Sequence, residues 1–223
     1  MQENEKVNKR GISLQAKQAR EAWQERRLHS TRSCLRSYGL KLIVEHGYDE
    51  TTAQDIAQAA GVSTMTFFRH FPSKEDVVLG MPPDSAGIVV AEHVLTGANK
   101  SLQPFEIARI VLDAVVEELG TDGLSDIALR LSIVHENPTL LKALYARIPQ
   151  WIRVVDALLA NSLRTAHDDA FSMHLKASAM VMYWVETLCE WSRRGGTKAD
   201  RALLQIVAGE TDAAIATVTK SYK

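Results

Sequence analysis

Apolar residues recur at spacings of three and four along most of the chain, whereas no stretch shows the period-two alternation of a half-buried strand. This periodicity predicts an all-α fold. Glycine and proline breaks divide the pattern into segments of helical length. The expected helices lie at 31–46, 52–60, 63–71, 74–80, 86–97, 104–119, 125–135, 139–165, 168–193 and 198–219. Within the first of them, Gly39 is expected to cost about 1 kcal/mol of helix propensity relative to alanine.

The composition is that of an ordinary folded domain. Of the 223 residues, 46% are hydrophobic and 24% are charged, which excludes a chain that is disordered over most of its length. The two cysteines, Cys34 and Cys189, exclude a disulfide framework. The first thirty residues lack the apolar core of a signal peptide, and no run of eighteen apolar residues occurs. We therefore expect a cytoplasmic protein without a membrane partner.

Positive charge is concentrated at the N-terminus. Residues 1–41 contain ten Lys and Arg residues against four acidic ones, although the whole chain has a net charge of −1. A basic end on an acidic chain suits either a segment that faces nucleic acid or a solvated tail. We expect residues 1–30 to form a partly disordered basic extension, 31–80 a small helical domain, and 84–223 a larger helical body, with the boundary at the Pro82-Pro83 pair.

Residues 51–71 have the signals of two short helices joined by a tight turn. Thr52 can cap the first helix, with Asp55 three positions later as the second member of a capping box. Gly61 stands where a helix must end with a positive φ, Val62 is an apolar plug at the turn, and Ser63 can cap the next helix. The pattern predicts a helix-turn-helix, and an ordinary αα-hairpin in a bundle is the alternative that spacing alone leaves open.

In the second of these helices, Phe67 and Phe71 are four residues apart and are expected to face inward. Thr64, Met65 and Phe68 are then expected to point outward near its N-terminal end. A recognition helix places such residues at base edges in the major groove, where apolar groups meet thymine methyls.

The run from Glu45 to Val77 resembles the TetR family of bacterial transcriptional repressors, and counted from Thr31 the resemblance covers 47 residues. It rests on five elements: Gly47-Tyr48 before Thr51-Thr52, Asp55-Ile56-Ala57, Gly61-Val62-Ser63, the Phe68-Arg69-His70-Phe71 end, and Ser73-Lys74-Glu75. The resemblance implies an N-terminal three-helix DNA-binding unit followed by a helical ligand-binding and dimerisation body.

The same resemblance implies roles for individual residues. Those expected to touch backbone phosphates are Thr52, His70 and Lys74, with Ser63 as a helix cap and a further candidate. Those expected near bases are Gln54, Thr64, Met65 and Thr66. Arg26, Arg27 and Arg32 are candidates for a phosphate strand or the minor groove. Phe68 departs from the usual Tyr, so its contact is expected to be with a sugar or a thymine methyl.

The body has no motif that identifies a ligand. Trp151, Met180, Tyr183 and Trp184 are the residues that we expect around an apolar effector, although the same residue types also fill ordinary cores. Apolar stripes on helices 168–193 and 198–219 are expected to form a homodimer interface, in a four-helix bundle with the symmetry mate. On the first of these helices the stripe includes Met173, Met180 and Tyr183. On the second it consists of Leu203, Ile206, Val207, Ala214, Ile215 and Val218.

The sequence offers no signal for catalysis. A metal set drawn from His135, Glu136, His167, Asp168, Asp169 and His174 is disfavoured, because no Glu-x-x-His pair recurs at di-metal spacing. A Gly-rich phosphate loop and a nucleophile motif are also missing from the sequence. We therefore expect no enzymatic activity, no metal and no cofactor.

The prediction is a homodimeric, sequence-specific repressor that a small molecule releases from operator DNA. The alternatives are a ligand-binding or enzymatic helical bundle without specific DNA binding, and a nonspecific DNA-associated protein.

Overall fold

The computed structural model describes residues 30–80, 86–99, 101–162, 169–195 and 198–220, and all regular structure in these ranges is helical. Arg26, Arg27, the Pro82-Pro83 pair, His167 and Asp168 lie outside them. The helices are α1 at 30–46, α2 Ala53–Ala59, α3 Thr64–His70, α4 Glu75–Leu79, α5 Ala86–Gly97, α6 Pro104–Glu136, α7 Pro138–Ala146, α8 Ile148–Ser162, α9 Ala170–Gly195 and α10 Arg201–Lys220. The all-α prediction is confirmed.

The predicted break between the segments at 104–119 and 125–135 is present inside α6, where Gly120 takes the non-helical φ of 59° that glycine tolerates. The single helix predicted at 139–165 is wrong, because the chain turns at Arg147 between α7 and α8. Pro149 explains the break, since it has no N–H to continue the α7 ladder. The carbonyl of Arg147 instead accepts from Trp151 N at 3.1 Å and starts the new helix.

The chain divides into two compact units, Met1–Gly80 and Met81–Lys223. In the described part of the first unit, all four helices contribute to one core. Its fully buried members are Leu35 from α1, Ile56 and Ala57 from α2, Phe67 from α3, Phe71, and Val77 from α4. Every short helix of the unit has apolar contacts in this core. These contacts, rather than the intrinsic helix propensity of each segment, therefore stabilise the helices.

Gly39 allows α1 to approach α2 and α4 closely. A Cβ atom at this position would lie 2.7 Å from Val77 Cγ1 and 3.3 Å from Ile56 Cδ1. Both contacted side chains are fully buried. The view of Gly39 as a simple loss of helix propensity is therefore incomplete, because an alanine would crowd the core.

In the second unit, α9 packs against α6, α8 and α10, and α5 packs against α6 and α8. Polar contacts join α6 to the C-terminal helix: Arg109 donates to Asp212 at 2.8 Å and to Gln205 at 2.5 Å. The end of α9 is tied to the start of α10, because fully buried Trp191 donates from Nε1 to the carbonyl of Asp200 at 2.8 Å. None of the helices in the described ranges is both long and apolar enough to cross a membrane.

Candidate nucleic-acid interface

The start of α2 is held by a reciprocal cap. Thr52 Oγ1 accepts from the amide of Asp55 at 3.1 Å, and Asp55 Oδ2 accepts from the amide of Thr52 at 2.9 Å. The Thr52 hydroxyl also donates to this carboxylate at 2.6 Å. These hydrogen bonds lower the pKa of Asp55 below its usual value. The predicted capping box is confirmed, and the Thr52 hydroxyl lies on the surface at the beginning of the helix pair.

The turn between α2 and α3 has the geometry that its sequence predicts. Gly61 has a φ of 68°, and its amide donates to Gln58 O at 3.1 Å while the amide of Val62 donates to Ala57 O at 2.9 Å. This pair of bonds is a Schellman motif, which satisfies the last carbonyls of α2. Val62 packs against the core, and Ser63 Oγ accepts from the amide of Thr66 at 3.1 Å. The helix-turn-helix is therefore present.

Helix α3 has one buried face and one exposed face. Phe67 and Phe71 are fully buried, as predicted. On the opposite face Met65 is 81% exposed and Phe68 is 51% exposed, and Arg69 beside them is also exposed. Thr64 and Thr66 are half-buried on the flanks. Sequence reasoning did not identify Arg69 as a surface candidate, although its position four residues after Met65 places it on the same face.

Phe68 is exposed but well positioned. Its ring meets that of Phe67 edge-on, with centroids 5.3 Å apart and an interplanar angle of 90°. Phe67 in turn packs against Phe71, with their ring centroids 5.8 Å apart. The buried aromatic pair therefore supports Phe68 from below, while the outer side of its ring is open.

Two arginines of α1 bind the C-terminal ends of other helices. Arg32 donates to the carbonyl of His70 and its guanidinium lies 4.3 Å from the centroid of the Phe71 ring. Arg36 donates from Nε to Val77 O at 3.1 Å and from its terminal nitrogen to Gly80 O. These contacts satisfy carbonyls that helix ends leave open. The DNA contact expected of Arg32 stays a prediction. The sequence did not reveal that both arginines donate to backbone carbonyls inside the unit.

Lys74 is attached to the segment that follows α1. Its ammonium donates to the carbonyl of Tyr48 at 2.6 Å and lies 4.0 Å from the centroid of the Tyr48 ring. The tyrosine is buried, so the position of the ammonium is well defined. Because an ammonium has three donors, Lys74 can also donate to an anion such as a phosphate.

His70 differs from the other candidates because its side chain is only 7% exposed. Its Nε2 is buried and has no hydrogen-bond partner among the described residues. Burial lowers the pKa of His70 below its usual value, and the positive charges of Arg69 and Arg32 lower it further. The ring is therefore neutral at physiological pH, and its expected phosphate contact stays a prediction.

Gln54 is exposed on α2, on the same helix-turn-helix as the α3 candidates. The first unit thus brings Thr52, Gln54, Ser63, Thr64, Met65, Thr66, Phe68, His70 and Lys74 together on two helices, their caps and the start of α4. The local signals that predicted the caps and the turn explain the positions of Thr52 and Ser63 in this arrangement.

The four candidates for the effector lie in the second unit, Trp151 on α8 and the others on α9. Met180 and Tyr183 are buried, whereas Trp151 and Trp184 are half-buried. The Tyr183 hydroxyl donates to Asp212 Oδ1 at 2.8 Å, and burial together with this carboxylate raises the pKa of the tyrosine. Trp184 Nε1 donates to Ala108 O at 2.8 Å. The polar groups of these two side chains are thus satisfied within the unit.

The predicted apolar stripe on α9 belongs to the core of the protomer. Met173, Met180 and Tyr183 are all buried within the unit, because α9 is surrounded by three other helices. The large apolar residues that α9 leaves exposed are Phe171, Leu175 and Met182, and those of α10 are Ile206 and Val218, which both belong to the stripe predicted on 198–219. The assignment of the first stripe to a dimer interface is therefore wrong.

Two of the histidines considered for a metal have other contacts. His174 Nδ1 lies 3.2 Å from Asp156 Oδ2, and His135 Nε2 lies 3.1 Å from the carbonyl of Cys189. Within the described ranges, no group of three His, Cys, Asp or Glu side chains is arranged to hold a metal ion.

Residues 36–81 match the family model for bacterial regulatory proteins of the tetR family. The HTH-type transcriptional regulator TcmR of Streptomyces glaucescens is 39% identical over 123 residues, which are 52% of this chain and 53% of that protein. The match thus spans about half the length of TcmR. The fatty acid metabolism regulator protein of Bacillus subtilis (strain 168) is 20% identical over 153 residues, or 68% of this chain and 78% of that protein.

Among solved structures, FadR of Thermus thermophilus, a TetR-family transcriptional repressor in complex with lauroyl-CoA, is 22% identical. The alignment covers 81% of this chain and 90% of that one, with a TM-score of 0.42.

Proposed function

We propose that the chain is a ligand-responsive transcriptional repressor of the TetR family of bacterial regulatory proteins, whose family model its residues 36–81 match. Its domain at 31–80 binds double-stranded operator DNA. Its body at 84–223 binds a small-molecule effector and joins two copies of the chain.

The observation that carries the DNA-binding proposal is the exposed face of α3. A soluble unit whose core is closed has no structural need to expose Met65 and Phe68 together on a seven-residue helix. Arg69 on the same face adds positive charge next to them, and Lys74 at the start of α4 adds a second cation to the unit. A mixed apolar and cationic surface on the second helix of a helix-turn-helix fits the major groove, where base edges lie between phosphate strands.

The proposed contacts fall into two groups. Gln54, Thr64, Met65, Thr66 and Phe68 face base edges and sugars, and their side chains supply sequence preference. Thr52, Ser63, His70, Lys74 and Arg32 contact phosphates, which fix the position of the unit on the duplex. Arg69 is an additional phosphate contact, because its exposed guanidinium lies one turn beyond Met65.

The proposed dimer uses the exposed apolar residues of α9 and α10. Phe171 and Leu175 are four residues apart and therefore share one face of α9, and Ile206 is exposed on α10. Each of these side chains is at least half exposed in the protomer. When the same surface of a second copy covers them, the two chains form a closed dimer with two-fold symmetry.

The proposed effector is apolar or amphipathic and lies near Trp151, Met180, Tyr183 and Trp184. Since the tyrosine hydroxyl and the indole N–H of Trp184 already have partners, these side chains offer a ligand their apolar surfaces. Effector binding favours a state of the dimer whose two DNA-binding units no longer match successive major grooves. It acts through its higher affinity for that state.

Selection of bound duplexes from a random pool tests the proposal. The expected product is an inverted repeat whose half-sites are about one helical turn, 34–36 Å, apart or a multiple of it. A protein that enriches no sequence from the pool, or binds selected and random duplexes equally, is not a sequence-specific regulator. Fluorescence of variants that retain Trp151 or Trp184 alone then locates the effector, since a releasing ligand that changes neither signal binds elsewhere.

A further inference from the structure

Met65 is the most exposed large apolar residue in the described part of the chain, and Phe68 lies beside it, three residues later on α3. An isolated exposed apolar side chain is ordinary on a protein surface, but two adjacent ones on the outer face of a short helix form a small apolar patch. The patch consists of Met65 and Phe68 alone, because Arg69 and the half-buried Thr64 and Thr66 border it.

The two members of the patch have complementary mechanical properties. Phe68 is supported edge-on by the buried ring of Phe67, so its outer surface is held in one place. Met65 is free of such support, and its unbranched thioether chain adapts to a neighbouring shape. A supported ring beside a flexible side chain is suited to enclosing a small apolar group.

The charges around the patch indicate which molecule carries that group. Arg69 lies on the same face as the patch, and Lys74 adds a second cation to the unit. These cations favour a polyanion over an apolar protein surface. On the edges of DNA bases in the major groove, the only apolar group is the C5 methyl of thymine.

We propose that Met65 and Phe68 together recognise the C5 methyl group of a thymine in each operator half-site. The proposal rests on the proposed function and deepens it, because it names the chemical group that α3 reads. The remaining atoms of the base pair are then read by polar side chains, whereas the methyl group sets the preference at this one position.

The test uses the full-length protein and the duplex recovered by selection. Each thymine of the half-site is replaced in turn by deoxyuridine, which removes the methyl group and leaves every hydrogen-bonding group in place. Burying one methyl group corresponds to about a four-fold change in affinity, so the sensitive position is expected to lose about four-fold per half-site and about sixteen-fold when both half-sites are changed.

The variants Met65→Gln and Phe68→Ala identify the side chains responsible. Glutamine is similar in length and helix propensity to methionine, and Met65 is so exposed that the fold does not depend on it. In the double variant, thymine and deoxyuridine duplexes are expected to bind equally. The matched control Val44→Thr changes an exposed apolar residue of α1 and is expected to retain the full preference for thymine.

A second arm tests the methyl group without thymine. When the sensitive T·A pair is replaced by C·G, methylation of that cytosine at C5 is expected to restore about the same four-fold factor. If no uridine substitution weakens binding, or if the double variant keeps the wild-type preference for thymine, methyl recognition by this patch is refuted while the regulator proposal stands. If the pool yields no specific site, both proposals fail.

Discussion

Replacing Gly39 by alanine tests how closely α1 approaches the rest of the DNA-binding unit. Helix propensity alone predicts a gain of about 1 kcal/mol. The new Cβ, however, would lie 2.7 Å from Val77 Cγ1 and 3.3 Å from Ile56 Cδ1, and Val77 is fully buried and stiff at χ1. Because overpacking a core costs about 1–3 kcal/mol, we expect Gly39→Ala to leave the unit unchanged or to destabilise it by up to about 2 kcal/mol.

A double-mutant cycle with Val77→Ala isolates the crowding. The single change Val77→Ala removes two buried methyl groups and is expected to cost about 2–3 kcal/mol through lost burial and a cavity. In the double variant, the Cβ introduced by Gly39→Ala occupies space that Val77 Cγ1 has left. The two effects are therefore expected to be non-additive by about 1–2 kcal/mol in the stabilising direction.

Hydrogen exchange of amides in α2 and α3, measured in the full-length protein, reports the stability of this unit separately from the body. Ser37→Ala is the matched control, since it raises the helix propensity of α1 at an exposed position by a few tenths of a kcal/mol. A Gly39→Ala protein that gains the full propensity term of about 1 kcal/mol, or a cycle that is additive, would show that the close approach is not a constraint.

Two further predictions concern DNA and dimer contacts. Lys74→Met is expected to weaken the binding of operator and random duplex alike, and to reduce the slope of log K against log salt by about one for each half-site. Titrations at several salt concentrations measure this slope, and an unchanged slope would exclude a phosphate contact. The double variant Leu175→Asp Ile206→Asp is expected to sediment as a folded monomer. The control Val154→Asp changes an exposed apolar residue of α8 and is expected to remain a dimer. A dimeric double variant would place the interface elsewhere.

The helix-turn-helix was the most predictable part of the chain because its signals are local. Thr52 and Asp55 are three residues apart, and the bonds that close the turn at Gly61 span at most five residues. Each residue type there has a conformational reason that can be read without knowing its neighbours in space. For the same reason the inward and outward faces of α3 followed from the spacing of Phe67 and Phe71.

Contacts between distant segments could not be predicted. Arg32 and His70 are 38 residues apart, and Arg36 and Gly80 are 44 apart, so no local pattern distinguishes these arginines from DNA-binding ones. The clash that an alanine at position 39 would cause is equally a property of the packed unit. Basic composition suggested a surface role, and the structure shows that two of these cations satisfy carbonyls at helix ends.

The C-terminal helices show a second limit of periodicity. An apolar stripe reveals that a helix face is buried, but it does not reveal whether the burial is against the same chain or against a partner. On α9 the stripe with Met173 and Met180 is covered by the helices of its own unit, while Phe171 and Leu175 stay exposed. Their identification as interface candidates therefore required the positions of α6, α8 and α10.

His70 makes the stability of the DNA-binding unit dependent on pH, since its environment disfavours the imidazolium. Burial lowers its pKa first, and the charges of Arg69 and Arg32 lower it further. The unfolded chain has the ordinary pKa of about 6.5 and therefore binds a proton more readily than the folded unit as the pH falls. The neutral imidazole therefore makes its full contribution to the free energy of unfolding above about pH 6.5. This contribution decreases as the pH falls toward the lower pKa of the folded unit, and the free energy levels off below that pKa.

Replacement of His70 by glutamine is expected to remove this dependence. Hydrogen exchange of α2 and α3 amides between about pH 5 and pH 8, corrected for the intrinsic exchange rate, measures the change, and each unit of difference in pKa corresponds to about 1.4 kcal/mol. His46→Gln is the matched control, because it removes an exposed histidine at the end of α1. If His70→Gln retains the wild-type decrease below about pH 6.5, some other group binds the proton on unfolding. The burial of the imidazole would then be compensated by a contact that stabilises its charged form.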